Sequence, residues 1–487
     1  MSETITKQTI DEITEIIQKL YLEDQIPWVI GYSGGKDSTA ALQLVWNALL
    51  GLPDDKRSHK AVHVISTDTL VESPVVAAWV NLSLSRMRES ALEQSLPIQV
   101  HRLTPTVQNS FWVNLIGKGY PAPRATFRWC TSRLKIEPSN RFVREVIAEH
   151  GETILILGTR KAESSNRARN MTRYEKQRIR DFLSPNASLP NSLVFSPIEN
   201  WSNDDVWLYL MQVKNPWGHS NKDLLSMYRG ASADGECPLV VDTNTPSCGN
   251  SRFGCWVCTL VEFDKSMAAM ILNDDEKAWL APLLEFRNEF GDMEKDRSRR
   301  DFRRMDGKIL LHRDRLVHGP YTKHCREYWL RRLLQIQIQM HNNCPEEYKS
   351  LKLITDEELR EIRKIWLTEK HEFDDMLPKI YLGITGEQFK YADELIEGPF
   401  GLDEWNILKK ICGDDELLFE LQASLLDIEQ HTKIFNLQKG ILDELENQIR
   451  RCYYEDENDA EHVAKFKDNQ KKSIEDGRSS EEECYDN

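Results

Sequence analysis

The segment from Trp28 to Ser38 places an apolar strand directly before a glycine-rich loop, and a helix begins where the loop ends. Gly34 and Gly35 carry no Cβ, so the backbone can turn tightly and bring its N–H groups onto an anion. The hydroxyls of Ser33 and Ser38 add donors, and the following helix points its positive end at the same place. The pattern therefore predicts a site for nucleotide phosphates.

This loop is not the Walker loop of common kinases and GTPases. The Walker pattern needs four residues between its glycines and a Ser or Thr after the lysine, whereas Lys36 is followed by Asp37. A plain strand-to-helix turn is the alternative interpretation. The order of strand, loop and helix favours a functional loop.

Composition limits the class of protein. The chain has 487 residues, a net charge of −15 and ten cysteines. Neither a secretory leader nor an apolar run of membrane-spanning length is visible, which predicts a cytoplasmic protein without membrane association. In that setting the cysteines are expected to be reduced thiols, metal ligands or catalysts and not a disulfide framework.

Strand and helix patterns alternate through the first half of the chain, which predicts an α/β fold with a parallel sheet covered on both faces. Strands are expected at 28–32, 61–67, 98–103, 153–158 and 193–197. A helical pattern dominates after about residue 263. We expect domains at 1–214 and 263–452, a cysteine-rich segment at 215–262 between them, and a disordered acidic tail at 453–487.

Two further strand ends carry polar side chains, at the edge where parallel sheets bind ligands. Asp68 follows the second strand, and its carboxylate suits a ribose or a base. Arg160 and Arg167 follow the strand at 153–158, and their guanidinium groups suit phosphate oxygens.

Cys130 lies between Arg128, Arg133 and Lys135. Positive neighbours lower the pKa of a thiol and favour attack by its thiolate. A single cysteine is, however, often a small buried apolar residue. Both interpretations stay open for Cys130.

Four cysteines fall within 22 residues, at Cys237, Cys248, Cys255 and Cys258, and the last two have the spacing C-x₂-C. Such thiols can converge on a metal with tetrahedral sulfur geometry. Structural zinc, an iron–sulfur cluster and unligated thiols are all compatible with this spacing. The single C-x₂-C pair favours the cluster.

Five motifs in order resemble the phosphoadenosine phosphosulfate (PAPS) reductase family: Ser-Gly-Gly-Lys-Asp-Ser at 33–38, Thr-Asp-Thr at 67–69, Arg-x-Cys-x-x-x-Leu-Lys at 128–135, Gly-x-Arg-x-x-Glu-Ser at 158–164 and Ser-Pro-Ile-x-x-Trp at 196–201. The first of them is similar to the PP-loop of ATP pyrophosphatases. The resemblance implies an adenine nucleotide alpha hydrolase-like fold. It also implies nucleotide binding by Ser33, Gly35, Ser38, Arg160 and Arg167.

The chain departs from the reductases at one important point. Their catalytic Glu-Cys-Gly-x-His motif has only Glu483-Cys484-Tyr485-Asp486 as a counterpart here. Sulfonate reduction is therefore not indicated.

The PP-loop, the four cysteines and a helical extension with Gly319-Pro-Tyr-Thr and Trp329-Leu-Arg-Arg resemble the DndC family, the sulfurtransferases of bacterial DNA phosphorothioation. This resemblance implies replacement of a DNA phosphate oxygen by sulfur. It implies ATP with Mg²⁺ and a [4Fe–4S] cluster on Cys237, Cys248, Cys255 and Cys258. It also implies a cysteine desulfurase and other Dnd proteins as partners.

The candidate nucleotide-binding residues are those of the loop, Ser33, Gly34, Gly35, Lys36, Asp37 and Ser38, together with Asp68, Arg160 and Arg167. The candidate catalytic residues are Asp37, Ser38, Arg160 and Cys130. ATP would adenylate a DNA phosphate, and sulfur would then displace AMP. The sulfur donor is either a persulfide on Cys130 or a sulfide bound to the cluster.

DNA contact has one candidate stretch. From Lys295 to Arg332 there are thirteen basic and five acidic residues with aromatic residues between them, which could follow a phosphate backbone. The other interpretation is a solvated face with internal ion pairs, in which case a partner supplies the DNA affinity. A PAPS reductase, a tRNA thiolase and a nucleotide-switched scaffold are the competing functions.

Overall fold

The computed structural model describes residues 5–231, 254–394, 402–435 and 441–482. The chain divides into two compact units. The first comprises Met1–Phe111, Pro123–Asn288 and Met340–Leu351, and the second comprises Trp112–Ala122, Glu289–Gln339 and Lys352–Asn487. The domain boundaries expected from sequence stay predictions.

A six-stranded sheet lies in the first unit. Its strands are β1 (Trp28–Gly31), β2 (Val62–Thr67), β3 (Ile98–Leu103), β4 (Thr153–Ile156), β5 (Ser184–Pro185) and β6 (Ser192–Phe195). They are ordered β3-β2-β1-β4-β6-β5, and every neighbouring pair is parallel except β5 and β6. The predicted mostly parallel α/β fold is confirmed.

Helices account for most of the remaining described residues. In chain order they are α1 (Lys7–Glu23), α2 (Lys36–Leu50), α3 (Asp54–Arg57), α4 (Pro74–Glu93), α5 (Glu137–His150), α6 (Ser165–Glu175), α7 (Asn203–Gln212), α8 (Asn221–Gly230), α9 (Lys265–Asn273), α10 (Ala281–Gly291), α11 (Met293–Asp296), α12 (Lys323–Asn343), α13 (Asp356–Thr368), α14 (Met376–Thr385), α15 (Leu402–Cys412), α16 (Glu416–Phe435), α17 (Ile441–Arg451) and α18 (Glu457–Glu482). The predicted helical C-terminal part is confirmed. None of the described helices is long and apolar enough to cross a membrane.

Apolar residues of β1 alternate between two cores, as the period of a strand requires. Trp28 and Ile30 belong to a large core that includes residues of α1, α2, α4 and α7. Val29 packs into a smaller core with Val143 and Val146 of α5. The sheet is therefore covered on both faces, and its functional groups must lie at the strand ends.

The second unit contains a short hairpin besides its helices. Its strands, β7 (Leu311–His312) and β8 (Arg315–Leu316), pair antiparallel. Buried Leu316 contacts a small apolar cluster that includes Tyr454 and Ala460.

The expectation of a disordered tail from 453 to 487 is corrected for most of its length. Helix α18 occupies Glu457–Glu482. Ala460 is fully buried, and Val463 packs against the same cluster as Leu316. The apolar positions of this acidic segment are few, but they fall on one side of the first turns of α18, which is sufficient for docking.

Candidate functional site

The order of the strands places one crevice at the centre of the sheet. From β1 the chain proceeds outward through β2 to β3, whereas β4 lies on the other side of β1 and leads to β6. Ligands of such sheets bind where the strand order reverses, beyond the carboxyl ends of the strands. The loop at 33–38 follows β1 and Gly158–Arg160 follows β4, so the two motifs meet at this point.

The backbone of the loop requires its glycines. Gly34 has a φ of +73°, and a Cβ at this position would come within 2.5 Å of the Val80 side chain. Gly35 is the residue that precedes the first turn of α2. The Ser33 N–H donates to Ser38 Oγ over 3.1 Å, and the two hydroxyl oxygens are 3.0 Å apart. The predicted loop residues therefore do surround the N-terminal end of α2.

Gly158 brings the end of β4 against this loop. A Cβ on Gly158 would lie 2.5 Å from the carbonyl oxygen of Asp37 and 2.8 Å from the nitrogen of Ser38. Only glycine allows the two backbones to approach so closely. Strand β4 accordingly ends at Ile156, two residues earlier than predicted.

Arg160 holds Asp37. The Arg160 side chain is almost fully buried, its Nε donates to Asp37 Oδ1 over 2.7 Å, and its NH1 donates to the Trp201 carbonyl over 3.2 Å. On the other side, Lys36 Nζ lies 2.9 Å from Asp37 Oδ2. Asp37 thus lies between two cations, and through it Arg160 holds the start of α2 in place.

The other predicted nucleotide ligands are engaged near the surface. Arg167 donates to Glu163 Oε2 over 2.5 Å, and its side chain is 43% exposed. Asp68 pairs with Arg102 and accepts the Leu70 N–H over 2.7 Å. Their binding of a nucleotide stays a prediction.

Two aromatic residues contact the loop without having been singled out for it by the sequence. Trp79 donates from Nε1 to the Gly34 carbonyl over 3.2 Å and stacks on His219 with 3.7 Å between ring centroids. The Tyr228 hydroxyl accepts the Lys36 N–H over 3.3 Å. Nothing in the spacing around either residue signals these contacts, because α4 and α8 are brought to the loop only by the tertiary fold.

The C-x₂-C pair lies beside the end of β2. The Trp256 N–H donates to the Val71 carbonyl over 3.0 Å, and the Ser73 N–H donates to the Gly254 carbonyl over 3.3 Å. This short antiparallel pairing places Cys255 Sγ 3.3 Å from the hydroxyl of buried Thr69. Since β2 neighbours β1 in the sheet, the thiols lie beside the end of one strand and the phosphate loop follows the end of the adjacent strand.

Arg287 fixes the backbone after the thiols. It is buried, its Nε donates to the Cys258 carbonyl over 2.9 Å, and its NH1 donates to the Glu262 carbonyl over 2.8 Å. A third donation goes to the Val261 carbonyl. No motif in the sequence marks Arg287 for this function, because it lies on α10, far along the chain.

Charged groups and a third thiol surround the C-x₂-C pair. Negative charge on Cys255 raises the pKa of Lys135, and burial raises the pKa of Glu72 to about 7. Burial raises the pKa of Cys130, with Cys258 among the nearby groups. Lys135 lowers the pKa of Cys130, as expected of a cationic neighbour, but desolvation of the thiolate outweighs this attraction, so the net shift is upward.

The chemistry of this donor set fits a thiolate-bound metal. Cys255 and Cys258 lie in one turn, in which the Cys258 N–H donates to the Cys255 carbonyl over 3.0 Å. Cys237 and Cys248, the other two predicted ligands, lie outside the described residues. Within the described ranges no group of three potential ligands converges.

Comparison with known proteins agrees with the geometry of the loop. Residues 27–260 match the family model of the phosphoadenosine phosphosulfate reductase domain. The matched region contains the loop, the β4 motif and the C-x₂-C pair. The matched family is part of the PP-loop superfamily, whose members are nucleotide-using enzymes.

A curated protein resembles part of this chain. An uncharacterized protein of Methanocaldococcus jannaschii is 29% identical over 201 residues, which are 41% of this chain and 35% of that protein. The match thus spans about a third of the relative's length.

Solved structures share fragments of the fold at low similarity. The U34-tRNA thiolase NcsA from Methanococcus maripaludis with its [4Fe–4S] cluster aligns at 15% identity and a TM-score of 0.28, covering 45% of this chain and 72% of that one. The FMN adenylyltransferase of Candida glabrata aligns at 14% identity and a TM-score of 0.25, covering 50% and 72%. Likeness at this level carries no functional argument.

The basic stretch from Lys295 to Arg332 lies in the second unit and is largely neutralised. At least eight of its thirteen cations form ion pairs with carboxylates within that unit: Lys295, Arg297, Arg300, Arg303, Lys308, Lys323, Arg326 and Arg332. For these residues the interpretation as internally paired charges is the better one.

Proposed function

We propose that this chain is a sulfurtransferase of DNA phosphorothioate modification, which uses ATP to adenylate a DNA backbone phosphate and then replaces a non-bridging oxygen with sulfur. The observation that carries the proposal is the adjacency of two sites. A phosphate loop follows β1, and thiols close to Lys135 lie beside the end of the neighbouring strand β2. The absence of the reductase motif Glu-Cys-Gly-x-His from the sequence supports sulfur transfer over sulfonate reduction.

In the first step the loop residues would bind the β- and γ-phosphates of ATP with Mg²⁺. The N–H groups at the start of α2 and the hydroxyls of Ser33 and Ser38 are the donors. A DNA phosphate oxygen attacks the α-phosphorus, the bond to the β-phosphate oxygen breaks, and pyrophosphate leaves. Arg160 keeps Asp37 and the first turn of α2 in place while charge builds on the leaving group.

In the second step sulfur forms a bond to the DNA phosphorus, and AMP leaves with the oxygen. We propose that the sulfur arrives as a persulfide of Cys130, made by a cysteine desulfurase. An external thiol then attacks Cys130 Sγ and releases the phosphorothioate, which leaves a mixed disulfide on Cys130 that a second external thiol reduces. The positive charge of Lys135 close to Cys130 supports this assignment, because it would stabilise the persulfide anion.

A [4Fe–4S] cluster on Cys237, Cys248, Cys255 and Cys258 would supply electron transfer or sulfide binding when present. Arg287 and Thr69 would then orient the loop of Cys255 and Cys258, as groups around metal ligands commonly do. We propose other Dnd proteins as the partners in modification.

Pyrophosphate release tests the proposal directly. The purified protein with ATP and Mg²⁺ should release pyrophosphate faster when duplex DNA is added, and not when tRNA or PAPS is added. Ser38→Ala should lower this rate by about a hundredfold, as expected for loss of one donor to developing charge. Ser188→Ala removes an exposed hydroxyl from the same unit and serves as the matched control. Stimulation by tRNA instead of DNA would assign the protein to the thiolases.

A further inference from the structure

The β7–β8 hairpin has a strained tip. His312 pairs with Arg315, so Arg313 and Asp314 form a two-residue turn. Their φ angles are +51° and +58°. Turns of this kind favour Asn-Gly, because side chains other than Asn, Asp and Gly are disfavoured at positive φ. An arginine held in this conformation points to a function for the tip.

The base of the hairpin is well anchored, which allows the tip to keep this conformation. The Val317 N–H donates to the Leu310 carbonyl over 2.8 Å. Leu316 is 3% exposed and contacts the cluster of Tyr454 and Ala460. The tip is therefore presented on a rigid support.

The charges of the tip differ from most of those in the basic stretch. His312, Arg313, Asp314 and Arg315 are all exposed. In the part of the chain that the structure describes, neither Arg313 nor Arg315 forms an ion pair, whereas at least eight other cations between Lys295 and Arg332 do. These two guanidinium groups are available to an external anion.

A groove of about 630 Å³ adjoins the hairpin in the same unit. Leu310 and Leu311 of the hairpin line it, together with Tyr453 and Lys467. The Tyr453 side chain is 65% exposed, and Lys467 Nζ lies 5.7 Å from its ring centroid. The Lys467 ammonium is thus a positive group at the rim of the groove that can contact a phosphate.

We propose that this hairpin surface, formed by His312, Arg313, Arg315, Tyr453 and Lys467, binds the backbone of duplex DNA. This proposal rests on the proposed function: the hairpin surface would hold the DNA that the sulfurtransferase modifies. The exposed tip of a hairpin can enter the major groove of B-DNA and reach the phosphates at its edge, whereas the major groove of an RNA duplex is too narrow for it. Duplex DNA is therefore the partner that this geometry favours.

The test is binding of a fluorescein-labelled duplex of about 20 base pairs to the full chain, measured by anisotropy over a range of salt concentrations. The variant Arg313→Asn, Asp314→Gly, Arg315→Thr removes both arginines and gives the turn its preferred residues, so its thermal midpoint should not fall. We expect binding to weaken about tenfold and the slope of log K against log salt to decrease by about 1.8, for two lost phosphate contacts.

Lys295→Ala, Lys323→Ala is the matched control, because it also removes two partly exposed cations of the same stretch, both of which are held in ion pairs. Its affinity should stay within about twofold of the parent value. Equal weakening by both variants, or no binding by the parent protein, would overturn the hairpin proposal. The proposal would also be overturned if the parent protein bound tRNA more tightly than duplex DNA and the hairpin variant lost that binding too. DNA-stimulated pyrophosphate release is measured separately, so failure of the hairpin and failure of the proposed function are distinguishable.

Discussion

The hydroxyl oxygen of Tyr228 lies 3.3 Å from the backbone nitrogen of Lys36, the first residue of α2. The first N–H groups of a helix have no partner within the helix and are the donors that bind anions. Tyr228 therefore reaches into the phosphate end of the loop from α8. It also explains Gly35, because a Cβ there would lie 3.2 Å from the same hydroxyl.

We expect Tyr228→Phe to weaken binding of inorganic pyrophosphate by about tenfold, the effect of losing one hydrogen bond to a charged group. Burial raises the pKa of the Tyr228 hydroxyl, so it is a neutral donor at physiological pH. Isothermal titration calorimetry gives the affinity. Unchanged or tighter binding would show that the hydroxyl competes with the anion instead of holding it.

Gly158→Ala should distort the loop, because the added methyl group would lie 2.5 Å from the Asp37 carbonyl oxygen. We expect a loss of about 1–3 kcal/mol in the free energy of unfolding and a loss of ATP affinity. Gly230→Ala is the control, since a Cβ on Gly230 meets nothing within 4 Å. Urea denaturation and nucleotide titration measure both quantities. Equal free energies of unfolding and equal ATP affinities for the two variants would exclude the close approach of Gly158 to Asp37.

Arg160→Met should leave Asp37 without its buried partner and destabilise the fold by about 3 kcal/mol. Adding Asp37→Asn should recover part of this loss, because no carboxylate then depends on Lys36 alone for compensation. Arg167→Met breaks an exposed pair and should cost less than about 1 kcal/mol. A double-mutant cycle in urea tests the coupling, and additive losses would mean that the two side chains are independent.

The histidine pair between β2 and β3 predicts a dependence of stability on pH. His63 Nδ1 lies 3.1 Å from His101 Nε2, and burial lowers the pKa of His63 to about 4. The unfolded chain therefore binds more protons between about pH 6.5 and pH 4, so stability falls as the pH falls through this range. His63→Gln should reduce this loss by about 1 kcal/mol between pH 7 and pH 5, after allowance for solvent screening. This prediction is wrong if the free energies of unfolding of the variant and the parent change equally with pH.

The parallel sheet was predictable because β1 and β4 are largely apolar runs and because strand and helix patterns alternate along the chain; β3 has the predicted limits 98–103. The approach of the β1 and β4 loops was likewise foreseeable from the glycines and the rule of strand ends. The contacts of Trp79, Tyr228 and Arg287 were not, since each depends on packing between segments distant in sequence. Helix α18 was not predicted, because the segment is strongly acidic and only a few apolar residues pack it against the second unit.

Mass spectrometry of nuclease-digested genomic DNA from the host tests the central claim most directly. Sulfur-containing dinucleotides should be present in cells with the parent protein and absent from cells with Ser38→Ala or Cys255→Ala, while Ser188→Ala should leave them unchanged. DNA without sulfur in cells that contain the parent protein, or sulfur that persists in the Ser38→Ala strain, would contradict a sulfurtransferase that works through this loop.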